Sequence, residues 1–138
     1  DNQKILCHIG DSRAYGVHSG TMMQLTKDHS YVNVLVENGE ISEEEAQSHP
    51  KKNLITKSLG TEKTIEPDFF SLMNPTYSYL LLCSDGLSNK LSIDDMTNIL
   101  STNASIHEKG QRLVNLANEK GGEDNISLVL ITNTKEEV

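Results

Sequence analysis

Three apolar runs in this chain each adjoin an acidic turn, and that pairing limits what the chain can fold into. Ile5-Leu6-Cys7-His8-Ile9 leads into Gly10-Asp11-Ser12-Arg13. Tyr79-Leu80-Leu81-Leu82-Cys83 leads into Ser84-Asp85-Gly86-Leu87. Gly121-Gly122-Glu123-Asp124-Asn125 opens onto Ile126-Ser127-Leu128-Val129-Leu130-Ile131. Short apolar runs bounded by turn residues read as buried strands, which places each carboxylate at a strand end. Carboxylates at several strand ends can converge although they are far apart in sequence. Hard divalent cations such as Mg²⁺ and Mn²⁺ take oxygen ligands, so convergence of this kind points to a metal-dependent enzyme. Any one of the three taken alone reads as a plain turn, because Asp-Gly and Asp-Asn are common turn dipeptides.

The rest of the chain alternates between strand and helix signals. Lys4–Ile9, Arg13–His18 and Thr21–Leu25 read as strands, with Ser19-Gly20 as the turn joining the last two. Asp28 to Asn38 carries Val32, Leu35 and Val36 at helical spacing and ends at Gly39. Ser42 with Glu45 forms a capping box that opens a short helix, and His49-Pro50 stops it. Asn53–Leu59 is ambiguous between strand and helix. Ile65–Leu72 reads as a strand despite Pro67, and Asn74-Pro75 turns into the strand Tyr77–Cys83. Ser92 and Ser105 open two further helices. The first is expected to bury Ile93, Met96, Ile99 and Leu100; the second, Leu113, Leu116 and Ala117. Gly121-Gly122 closes the second helix, Asn125–Thr132 is the last strand, and Lys135–Val138 is a polar tail. Strands, a helical excursion, strands, helices and a final strand make an α+β fold with antiparallel pairing.

Composition bounds the function. At 138 residues the chain is one domain's worth of sequence, with 12 basic against 20 acidic residues and a net charge of −8. That balance argues against nucleic acid and anionic membrane surfaces as partners. No stretch reaches the ~20 apolar residues of a membrane span, and no signal-peptide pattern is present. Cys7 and Cys83 both sit in apolar runs, where a free thiol acts as a small buried hydrophobe, and a reduced, cytoplasmic setting follows. The chain opens at Asp1, without Met, almost directly on a strand, which reads as the interior of a longer protein. His8, His18, His49 and His107 lack zinc-ligand spacing, and His29 reads as a surface or flap histidine.

Five blocks resemble, in order, the signature of the PPM-type (type 2C) metal-dependent Ser/Thr protein phosphatases, bacterial branch. They are Ile9-Gly10-Asp11-Ser12-Arg13-Ala14-Tyr15, Leu25-Thr26-Lys27-Asp28-His29-Ser30, Glu43-Glu44-Ala46 with His49-Pro50, Leu82-Cys83-Ser84-Asp85-Gly86-Leu87-Ser88, and Gly121-Gly122-Glu123-Asp124-Asn125-Ile126. The resemblance implies a two-sheet antiparallel β-sandwich flanked by helices, with metals in a cleft. It makes residues 28–60 a flap that Asp28, His29 and Ser30 open, and residues 1–138 a single partial domain. By the same resemblance Asp85 binds a core metal, Asp124 shares a metal with it, and Asp11 helps hold a further, looser one. Gly86 and Asn125 shape the metal-site turns. The cofactor is Mn²⁺ or Mg²⁺, and the targets are Ser/Thr-phosphorylated proteins, including a bacterial Ser/Thr kinase and its substrates. Two cations about 3.5–4 Å apart would bridge and deprotonate a water for in-line attack, so no protein nucleophile is needed. Arg13 matches a structural position near the sheet end.

Several family features are missing. The phosphate-holding Arg, an acidic ligand, the Asp-Gly-x-Gly-Gly turn with its bridging Asp, and a His proposed as general acid all belong to the family's N-terminal part. The resemblance therefore covers its C-terminal half, and the chain alone is expected to be inactive or weakly active. The alternatives are a non-catalytic fragment or pseudophosphatase that binds a protein partner, and a purely structural cation site.

Overall fold

The computed structural model describes residues 3–73 and 75–133. Asn74 of the expected turn and the tail Lys135–Val138 lie outside the described residues. The chain divides into two compact units, one built from the segment ending at Asp11 together with Lys27–Ser71, the other from Ser12–Thr26 and the chain from Leu72 onward.

The first unit holds a two-stranded antiparallel sheet of β1 (Ile5–His8) and β4 (Asp68–Ser71), in a register that pairs His8 with Asp68 and Cys7 with Phe69. The period-2 alternation is clear: Leu6, His8, Asp68 and Phe70 are buried or half-buried, while Ile5, Cys7, Phe69 and Ser71 are exposed. Cys7 is thus exposed, contrary to the expectation of a buried thiol, because its strand has one outward face. Pro67 explains why β4 starts at Asp68 rather than at Ile65. Lacking an N–H, it cannot join a ladder, and it precedes the first paired residue.

The excursion contains α1 (Tyr31–Glu37) and α2 (Glu43–Gln47). Ser30 caps α1 by accepting the Asn33 N–H at 3.3 Å. The Ser42–Glu45 capping box forms in both directions, at 3.1 and 2.7 Å. Asn53–Leu59 is neither strand nor helix; Ile55 makes an isolated bridge to Ser30, and the Tyr31 N–H donates to the Leu54 carbonyl at 2.9 Å. The excursion therefore closes on itself, with Lys51 Nζ 5.4 Å from the centre of the Tyr31 ring.

The second unit carries a four-stranded antiparallel sheet in the order β3-β2-β5-β6. Its strands are β2 (Arg13–His18), β3 (Thr21–Gln24), β5 (Tyr79–Cys83) and β6 (Leu128–Thr132). Tyr15, Val17, Leu81 and Cys83 bury one face against α4 (Ile93–Leu100) and α5 (Ile106–Glu119), where Met96, Leu113 and Ala117 are fully buried. Each fully buried Leu or Met contributes about 1.5–3 kcal/mol relative to exposure. Ile93, expected inside, is 40% exposed, because it occupies the first helical position and points away from the core face. Lys109 is buried on α5, and its ammonium donates to the Tyr79 hydroxyl at 2.9 Å while its stem packs inside. Gly121 and Gly122 follow the α5 cap at φ +138° and +55°, and their amides return to the Asn118 and Ala117 carbonyls.

Asp95, in the first turn of α4, reaches the end of α5. It accepts the Ser92 N–H at 2.9 Å and the Lys120 ammonium at 2.6 Å. The Lys120 hydrogen bond, then the Ser92 amide, holds its carboxyl down at about 2. Its folded value lies below its unfolded one. The stability it contributes is therefore complete above the unfolded value of about 3.9 and is lost as pH falls through the folded one. Asp95→Asn is expected to lower the urea midpoint at pH 7 and to flatten its decline between about pH 4 and pH 2. An unchanged acid limb in the variant would show that the pair forms equally in the unfolded chain.

Candidate metal centre

β5, an interior strand of the four-stranded sheet, delivers Asp85. Its last residue, Cys83, pairs with Arg13 on one side and with Leu128 on the other. The chain then enters a single helical turn, α3 (Asp85–Ser88), where the sequence had suggested a plain turn. Asp85 is its first residue and half-buried; Gly86 and Leu87 behind it are buried. A carboxylate in a first helical turn is favoured by the helix dipole.

Ser84 joins this turn to the one that carries Asp124. Its N–H donates to the Ser127 carbonyl at 3.0 Å, and its Oγ accepts the Ser127 N–H at 3.0 Å. The same hydroxyl donates to the Asn125 carbonyl at 3.3 Å. Ser84 makes no side-chain cap to its own helix, so its hydroxyl serves the neighbouring loop instead of its own turn. These bonds also explain why β6 starts at Leu128 and not at Asn125. Gly86 packs directly on this loop: a Cβ there would stand 2.1 Å from the Asn125 carbonyl oxygen. The Asn125 N–H donates to Asp124 Oδ1 at 2.7 Å, a local bond that orients the exposed carboxylate. Glu123 forms an ion pair with Lys90, which ties the loop to the residues just after α3.

The second unit thus brings the Asp85 and Asp124 turns together, with Gly86 and Asn125 as their contact surface. Both turns carry carboxylate oxygens, that of Asp85 half-buried and that of Asp124 exposed. That suits a hard divalent cation that keeps several waters. Asp11, Asp28, His29 and Ser30 belong to the first unit. Asp11 is half-buried and follows Gly10, a buried residue at φ +107°. Arg13 donates to the Tyr15 hydroxyl at 3.2 Å within its own strand.

A cluster not foreseen in the sequence lies in the first unit. His8, His29 and Asp68 offer ligand-type atoms all within 4.8 Å of one another. His29 is not a surface residue, for its side chain is 10% exposed. Its Nε2 lies 2.8 Å from Asp68 Oδ2, its Nδ1 accepts the Gly10 N–H at 3.0 Å, and the His8 ring lies 4.9 Å away. His8 sits on the inward phase of β1, a signal available from alternation alone. The β1–β4 register that brings Asp68 beside it was not.

Over all 138 residues the chain is 46% identical to a putative protein phosphatase 2C-type of Streptococcus pyogenes, covering 56% of that protein. The Staphylococcus aureus serine/threonine phosphatase Stp1 matches with TM-score 0.89 and 39% identity, over 95% of this chain and 52% of that one. The catalytic domain of the serine/threonine protein phosphatase PstP, solved in complex with two manganese ions, matches with TM-score 0.79 and 36% identity, over 94% of this chain and 53% of that one. The chain spans about half the length of the relatives it matches, and its two antiparallel sheets with helices match these phosphatase folds over that half. No family profile matches the chain.

Gly86→Ala is expected to cost about 1–3 kcal/mol by overpacking against the Asn125 carbonyl and to move the amide signals of Asp124–Ser127. Gly110→Ala is its control. There a Cβ meets nothing closer than Leu128 Cδ1 at 3.7 Å, so the change is expected to stabilise α5 by about 0.5–1 kcal/mol. Urea unfolding and amide spectra of the two variants check the pair.

Proposed function

We propose that this chain is the C-terminal portion of a metal-dependent protein Ser/Thr phosphatase of type 2C, hydrolysing phosphoserine and phosphothreonine in proteins. The observation that carries this reading is the joining of the Asp85 and Asp124 turns through Ser84 and Gly86. The likeness to bacterial phosphatases along the whole chain supports it. In this reading Asp85 and Asp124 hold Mn²⁺ or Mg²⁺, and Asp11 belongs to a further, looser site. Bound divalent metal supplies a deprotonated water as nucleophile and neutralises charge on the phosphoryl oxygens.

The chain's own contribution is placement. Ser84 fixes the loop of one carboxylate against the strand end of the other, and its hydroxyl is committed in both directions, donating to Asn125 and accepting from Ser127. Its hydrogen bonds go to the Asn125–Ser127 loop, which gives it a structural role in joining the two turns. Residues 28–60 act as a flap. The physiological targets are phosphoproteins of a bacterial Ser/Thr kinase pathway in the cytoplasm, the kinase among them. Among the described residues no helix is long and apolar enough to cross a membrane.

A second reading, a protein-binding module without catalysis, draws on β6. It has one ladder neighbour among the described residues and exposes Val129 and Ile131.

The test is Mn²⁺-dependent hydrolysis of a phosphothreonine peptide, by this chain alone and by this chain fused behind the N-terminal half of the S. pyogenes relative. The fusion is expected to be active, and Asp85→Ala and Asp124→Ala are each expected to lower its kcat on the order of 100-fold. The chain alone is expected to fall near background. A well-folded fusion without activity would favour the binding module.

A further inference from the structure

We infer that His29 is a positioning residue that holds the Gly10–Asp11 turn in the orientation the turn needs to present its carboxylate. This deepens the proposed function and rests on its assignment of Asp11 to a cation.

The argument starts from proton placement. The Gly10 N–H can only donate, so His29 Nδ1, 3.0 Å away, must offer its lone pair. A neutral ring then carries its proton on Nε2 and donates to Asp68 Oδ2 at 2.8 Å. The main chain repeats the link in the opposite sense, with the His29 N–H donating to the Gly10 carbonyl at 2.8 Å. Both polar groups of Gly10 thus end on the same residue. The His29 carbonyl accepts the Thr56 N–H at 2.8 Å, so the excursion holds His29 from the other side. Gly10 is buried at φ +107°, a conformation that leaves the peptide direction free unless something fixes it. His29 fixes it one bond before Asp11.

The obvious rival is a metal held by His8, His29 and Asp68 themselves. A cation on His29 Nε2 would displace the proton shared with Asp68 and require one on Nδ1. That proton would face the Gly10 N–H, donor against donor. The hydrogen bonds therefore favour a proton-bearing clamp over a cation site.

The test uses the whole chain and two disrupting variants. His29→Phe removes both ring contacts. His29→Gln reaches toward Asp68 but not the Gly10 N–H, and it serves the same purpose should the Phe variant not fold. His29→Asn is the rescue, because its amide oxygen lies near the Nδ1 position. Two quantities are read by NMR: the exchange rate of the Gly10 amide, and the Mn²⁺ concentration that half-broadens the Asp11 signals. The disrupting variants are expected to raise exchange about tenfold and the Mn²⁺ requirement several-fold, and Asn to restore both to within about twofold. Signals of Asp85 are expected to broaden at the same Mn²⁺ concentration throughout. Unchanged Gly10 exchange in the disrupting variants, or no rescue by Asn, would overturn the inference. Micromolar Zn²⁺ that shifts the His8 and His29 ring nitrogens would overturn it in favour of a metal site. If Mn²⁺ leaves Asp11 sharp in the wild-type chain, the cation assignment of Asp11 fails, and with it the inferred purpose of the clamp; Gly10 exchange then reports separately whether the clamp exists.

Discussion

The pairing of β5 with β6, extended past the ladder by Ser84, is the constraint on which the candidate centre depends. Cys83 opposite Leu128 sets the register, and the next residue continues the exchange through its own N–H and hydroxyl. A one-residue slip would turn Leu81 and Cys83 away from the helices and Leu80 and Leu82 toward them. Burial of the first pair against Met96 and Leu113 therefore fixes the register, and the register fixes where Asp124 lies relative to Asp85. Core packing and site geometry are one constraint in this unit.

The same logic, with different chemistry, operates in the first unit. The β1–β4 register places His8 opposite Asp68, and Asp68 Oδ2 then lies 2.8 Å from His29 Nε2. Here hydrogen bonds rather than apolar burial do the positioning, since the outward faces of both strands are exposed at Ile5, Cys7 and Phe69. A sheet of two strands has little apolar area to offer. A histidine whose two ring nitrogens each hold one partner is an economical way to order the turn beside it.

Elements with local causes were legible in the sequence. Ser42 forms the capping box read from its spacing, Ser92 and Ser105 open the helices expected of them and do so with capping boxes, and β2 runs over the expected Arg13–His18. What escaped was either too short to carry a period, at an element's end, or non-local. The one-turn helix after Ser84 looked like a turn, because four residues carry no periodicity. Ile93 looked like core because its spacing from Met96 and Leu100 is helical, although its place at the helix start leaves it outside. Cys7 looked buried because an apolar run does not reveal how many of its faces are covered. His29 read as a surface or flap residue, and its burial was not legible because both its ring partners, Gly10 and Asp68, come from distant sequence. The acidic turns were legible as turns, but their joining at Ser84, Gly86 and Asn125 is a fact of strand pairing that no local pattern carries.

This division bears on how the second unit holds the Asp85 and Asp124 turns together. Asp85 begins a helix at the end of interior strand β5, braced by β2 and β6, and so inherits the stiffness of the sheet. Asp124 sits in an exposed loop held by Ser84, by contact with Gly86 and by the Lys90–Glu123 pair. All of those contacts lie within the second unit, so the pair of turns is preorganised by this chain's own residues. An incomplete ligand set on a preformed frame costs less to complete than one that must fold around its cation. In the proposed reading, this chain by itself lacks ligands and not order. The low activity expected of the isolated chain then follows from missing donors on an intact scaffold, not from a disordered site.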